Sequence, residues 1–112
     1  SGTTGKPKGT MLSHRNIVAN LHQIMVPDGV FYAPDEVVLS PGPMFHIYPL
    51  TIGLLFHLWT GTKYVYMSGP FSVARFCAVV ASQRATRAHV SPPIVTMLAN
   101  SPEAPPPRLP PR

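Results

Sequence analysis

The chain has 112 residues, enough for at most one domain with a modest core, and about two thirds of its unfolded surface is buried at this size. Its net charge of +5 comes from nine Lys/Arg against four acids, but the bases are dispersed (Arg15, Lys63, Arg75, Arg84, Arg87) with no basic stripe, which argues against nucleic acid as a partner. A single cysteine, Cys77, precludes an internal disulfide and is compatible with a reducing setting, cytoplasmic or peroxisomal, rather than secretion; the compartment itself stays open.

The first element is a loop, Ser1-Gly2-Thr3-Thr4-Gly5-Lys6-Pro7-Lys8-Gly9. Its glycines can take positive φ and bring backbone N–H groups close to an anion. Ser1, Thr3 and Thr4 add hydroxyl donors, Lys6 and Lys8 add charge, and Pro7 stiffens the turn. The commonest phosphate loop, GxxxxGK[ST], is excluded, because only two residues separate Gly2 from Gly5 and Pro7 follows Lys6. A solvated Gly/Thr turn that binds nothing is the plain alternative. So many hydroxyls, glycines and lysines in one short loop favour a phosphate cradle.

Ser13 is placed to cap a helix with Ile17, Leu21, Ile24 and Met25 on one face, ended by Pro27-Asp28-Gly29. Val37 to Ser40 reads as a buried strand stopped by Pro41-Gly42-Pro43. The segment Pro43-Met44-Phe45-His46-Ile47-Tyr48-Pro49-Leu50 follows at the strand's carboxyl end, where ligands gather in open α/β sheets. Next come a helix from Tyr48 to Thr60, a strand from Lys63 to Met67, a helix from Phe71 to Arg84, a strand from Arg87 to Val90 and a short helix from Pro93 to Asn100. The alternation predicts an α/β fold with a mostly parallel sheet, flanking helices and right-handed crossovers. The apolar run Ile47 to Trp59 is too short for a membrane span and contains His57. Met11, Met25, Met67 and Met97 read as core filling.

The end of the chain differs. Six of the twelve residues from Ser101 to Arg112 are proline, so 102–112 reads as a Pro-rich disordered tail behind a folded segment at 1–101. Its PxxPx[KR] pattern at Pro107 to Arg112 has the form that SH3 domains grip, although such short patterns arise often by chance.

The loop together with Thr10-Met11-Leu12-Ser13-His14 closely resembles the phosphate-loop signature of the adenylate-forming (AMP-binding) superfamily, the acyl-CoA synthetases and 4-coumarate–CoA ligase-like enzymes. The segment around His46 resembles that family's next core motif, and His89-Val90-Ser91-Pro92-Pro93-Ile94-Val95 is similar to the strand and turn that follow. The resemblance implies that the chain is an excerpt of the family's large N-terminal domain. It further implies a reaction in which ATP, with Mg²⁺, activates a carboxylic acid as an acyl-adenylate that is passed to a thiol, commonly CoA. Carried over by position, Ser1, Gly2, Thr3, Thr4, Gly5 and Lys8 would cradle the ATP phosphates, His46 would lie near the acyl-adenylate, and Tyr48 would line the acyl pocket.

Departures from the family matter. Plant coumarate ligases carry a serine where this chain has Ile52, and a CoA-associated lysine where it has Pro70, so the pocket would be more apolar and the thiol acceptor is left open. The family's Mg²⁺-holding glutamate, ribose-holding aspartate and catalytic lysine have no counterparts in these 112 residues. The isolated segment is therefore expected to be inactive. The rival readings are a non-catalytic phosphate- or nucleotide-binding remnant and a Pro-rich interaction segment. The five histidines show no HxxxH or HxH spacing and no cysteine partners, so no protein-held metal site is expected.

Overall fold

A computed structural model describes residues 5–25, 33 and 35–102. The chain divides into two compact units, Ser1–Phe31 and Tyr32–Arg112. The expectations for Ser1 to Thr4, for the Pro27-Asp28-Gly29 stop and for the tail beyond 102 lie outside the described residues.

The first unit carries helix α1, His14–Ile24. Ser13 caps it through a reciprocal pair: the Asn16 N–H donates to Ser13 Oγ at 3.2 Å, and the Ser13 N–H donates to Asn16 Oδ1 at 2.9 Å. Two amide groups that a helix start leaves unsatisfied are thereby paired. Leu21 is buried and Ile17 and Ile24 are partly so, as the periodicity predicts.

The second unit is a three-stranded parallel sheet in the order β2-β1-β3, with β1 Val37–Ser40, β2 Lys63–Tyr66 and β3 Arg87–Ala88. Between β1 and β2 the chain forms one helical stretch, a π-helical segment Pro49–Leu55 running into helix α2, Phe56–Thr60. Helix α3, Val73–Gln83, connects β2 to β3, and helix α4, Pro92–Ala99, follows. The pleat sorts the side chains. Leu39 and Val65 share one face, and Val38, Ser40, Tyr64 and Tyr66 share the other. Leu39, Met67 and Phe76 form the core on the first face, with Cys77, Val79 and Val80 of α3 and Leu98 of α4 packed against them. Fully burying a side chain the size of Leu39 contributes about 2 kcal/mol. The π-helical segment and α2 cover the opposite face, where Phe56 and His57 are buried. This division follows from chirality: the chain steps from β1 to β2 in one direction and back across β1 to β3 in the other, so right-handed crossovers put the two helices on opposite faces.

Two expectations need correcting. Of the four methionines read as core filling, only Met67 is buried; Met11 is 98% exposed, and Met25 and Met97 are 44% and 49% exposed. An apolar residue at helical spacing does not reveal whether its face has a partner. The strand predicted after α3, Arg87 to Val90, is also shorter than expected, with β3 pairing only over Arg87–Ala88. The His89 N–H still donates to the Leu39 carbonyl at 2.9 Å, so the backbone keeps its place beside β1 one residue further.

Candidate functional site

In the first unit, Gly5 has φ of 93°, the left-handed region that penalises any side chain. The space where a Cβ would stand is open, as an anion-holding turn needs. Lys6, Lys8 and Gly9 are all exposed. Gly9 does not take positive φ, so among the described residues of the loop only Gly5 uses its conformational freedom. An open, cationic turn with a left-handed glycine fits a polyphosphate such as that of ATP.

In the second unit a cleft of about 590 Å³ opens at the carboxyl ends of all three strands. Ser40 ends β1 and Pro41 to Pro43 follow it, Tyr66 ends β2 with Met67 and Gly69 after it, and His89 and Ser91 follow β3. β1 is flanked by β2 on one side and β3 on the other, and in open parallel sheets ligands gather outside the carboxyl ends of the strands. Both His46 and Tyr48 line this cleft. The Tyr48 N–H donates to His46 Nδ1 at 3.2 Å, so the neutral ring carries its proton on Nε2 and has that N–H to offer. The π-helical segment begins right after them, and Pro49 packs so closely on Gly42 that a Cβ at Gly42 would stand 2.7 Å from Pro49 Cγ. Irregular helical turns of this kind often serve to aim side chains at a site. At the cleft edge Arg75 Nη1 donates to the Ser68 carbonyl at 2.6 Å, tying the β2–α3 connection, which turns through Gly69 at φ of 83°.

Behind the cleft wall lies a polar cluster that motif reading did not single out. His57 is 2% exposed and stacks on Tyr64 with ring centroids 5.0 Å apart, and His89 lies 5.6 Å from His57. Burial, reinforced by the neighbouring His89, lowers the His57 pKa from 6.5 to about 4. Burial also lowers that of His89, with the nearby Arg87 charge adding to the effect. The Tyr64 pKa is raised by burial, partly offset by the adjoining Ser40 hydroxyl. The signal for this cluster was the period-2 pattern, which places Ser40 and Tyr64 on one sheet face; nothing local in sequence connects them to residues 57 and 89.

Residues 1–109 match the family described as AMP-binding enzyme. The chain belongs to that family. It is 38% identical over 104 residues to 4-coumarate–CoA ligase 3 of Oryza sativa subsp. japonica, covering 91% of this chain and 19% of the relative. It is 39% identical over 103 residues to 4-coumarate–CoA ligase 5 of the same plant, covering 90% and 19%. A probable 4-coumarate–CoA ligase 2 of Dictyostelium discoideum is 35% identical over 102 residues, covering 91% and 18%. The chain thus spans about a fifth of the length of the curated relatives it matches.

No group of three or more His, Cys, Asp and Glu side chains converges among the described residues. Glu36 is engaged elsewhere, accepting from Arg87 Nε at 2.7 Å and from the Ala33 N–H at 3.2 Å. No helix among the described residues is long and apolar enough to cross a membrane.

Proposed function

We propose that this chain is the phosphate-holding and acyl-holding part of an ATP-dependent acid–thiol ligase, an acyl- or aryl-CoA ligase that activates a carboxylic acid and passes it to CoA. The observation that carries the reading is the cleft at the carboxyl ends of three parallel strands, lined by His46 and Tyr48, in a chain of the AMP-binding family. Ser1, Gly2, Thr3, Thr4, Gly5 and Lys8 hold the ATP phosphates, with hydrogen bonds and charge offsetting the charge of the departing pyrophosphate. Tyr48 shapes the seat of the acid's tail, and His46 offers its Nε2–H to the acid's reacting end. The names of the relatives support a hydroxycinnamic or similar acid as substrate. Prolines, Met67, Phe71 and Ile94 in the lining support a largely apolar tail.

The test is acid-dependent exchange of labelled pyrophosphate into ATP, measured on the intact protein that carries this segment. Exchange that needs an added carboxylic acid is the expected result, and no exchange with any acid contradicts the reading. The 112 residues by themselves are expected to hold phosphate without turnover, since their described acids form no cluster to manage a metal–nucleotide complex. Thioester formation by this segment alone would contradict that part.

A further inference from the structure

Four rings stand in file from the interior of the second unit to the cleft. Tyr64 on β2 stacks on His57 of α2 at 5.0 Å and 16°, His57 meets His89 at 5.6 Å and 31°, and His89 meets Tyr48 at 6.5 Å and 59°. His57 is only 2% exposed and Tyr64 is half-buried, while His89 and Tyr48 both line the cleft. His89 is therefore where this buried file reaches a ligand. Its position is fixed from two sides: the backbone N–H is bonded to the Leu39 carbonyl at 2.9 Å, and the ring packs against His57.

The chemistry of that position is specific. Much of the surrounding lining is carbon, from Pro41, Pro43, Pro49, Phe71 and Ile94. Burial and the Arg87 guanidinium both disfavour a charged imidazole at His89. A neutral ring is a poor seat for the carboxylate of an acid, which wants a cation or several N–H donors. The Nδ1 of His89 is buried, which leaves Nε2 as the ring nitrogen that can face the cleft, and that atom suits an uncharged group able to donate or to accept as the tautomer requires. A hydroxyl meets that requirement.

We propose that His89 is a specificity-determining residue of the cleft, hydrogen-bonding a hydroxyl on the tail of the carboxylic acid while His57 packs behind it. This inference rests on the acid-activation reading above. It assigns to a residue outside the His46–Tyr48 segment the discrimination between hydroxylated and plain tails.

The test is pyrophosphate exchange by the intact protein with matched acids: cinnamate against its 3- and 4-hydroxy derivatives, and octanoate against 8-hydroxyoctanoate. The wild-type protein prefers the hydroxylated member of at least one pair in kcat/KM. His89→Phe lowers that preference, read as the ratio of the two kcat/KM values, by about fivefold to tenfold, as expected for one neutral hydrogen bond. His89→Gln, which retains a donor and an acceptor, keeps most of the preference. The inference is overturned if the wild type exchanges with these acids without any preference, if His89→Phe leaves the preference intact, or if His89→Gln loses it as fully as His89→Phe. Exchange with none of the acids, by contrast, overturns the activation reading itself and this inference with it.

Discussion

His57 couples the stability of the second unit to pH. Its pKa is about 4 when folded against 6.5 for the exposed ring, so the folded state favours the neutral form. Below pH 6.5 the unfolded chain takes up a proton that the folded chain refuses, and stability falls until the folded ring titrates near pH 4. His89, lowered for the same reason, acts in the same direction. The full effect of His57 is on the order of 3 kcal/mol, present above pH 6.5 and lost toward pH 4. Urea unfolding at a series of pH values is expected to show the midpoint dropping across this window, with His57→Phe flattening much of the drop. An unchanged acid limb in that variant would show that another group is responsible. None of this was legible at residue 57 alone. A histidine in an apolar helical run tells of burial, but the ring that adds to the suppression of its charge, His89, comes from just after β3, far away in sequence. His46 was the easier case, because its flanking residues already formed a recognisable pattern.

The helical stretch after the cleft segment shows what hydropathy can and cannot specify at the level of an element. Its span, predicted as Tyr48 to Thr60, agrees with the observed Pro49 to Thr60 within one residue, since apolar runs and the Gly61 stop are written in the sequence. Gly61 takes φ of 71°, a left-handed cap that glycine supplies without cost. That the first half is π-helical was not legible, because the wider turn depends on what the helix packs against. Gly53 marks the contact: a Cβ there would collide with the Tyr64 hydroxyl and stand 3.0 Å from Tyr64 Cζ. In an ordinary helix Gly→Ala gains about 1 kcal/mol. Here Gly53→Ala is expected to cost about 1–3 kcal/mol instead, from overpacking against the ring. Among the described residues the buried Tyr64 hydroxyl has no hydrogen-bond partner of good geometry, so Tyr64→Phe is expected to be nearly neutral and to relieve the clash. The double variant should then be more stable than Gly53→Ala alone by at least about 1 kcal/mol in thermal or urea unfolding. Additive effects of the two changes would show that the ring and the glycine do not press on each other.

At the scale of the whole molecule, the order of elements carried most of the information. Alternating apolar runs and helical patterns gave the parallel sheet and its helices, and the position of the His46 segment after β1 placed it at the strands' carboxyl ends. What the order could not show was which loops meet there. The cleft gathers residues following three different strands, and His89 and Tyr66 enter it only because β1 is central. The low charge of the chain has a counterpart on its surface, where Phe45 is 93% and Leu58 is 70% exposed. The loop in the first unit was legible as a family motif, and the chain does belong to the AMP-binding family.

The central claim is a division of labour, with the loop holding ATP phosphates and the cleft holding the acid. It is tested most directly by the separate Michaelis constants of the intact protein in pyrophosphate exchange. Lys8→Ala is expected to raise KM for ATP by at least about tenfold, as for loss of a charge-assisted contact, and to leave KM for the acid nearly unchanged. Tyr48→Ala should do the reverse. Both variants shifting the two constants alike, or Lys8→Ala leaving the ATP constant unmoved, would contradict the division.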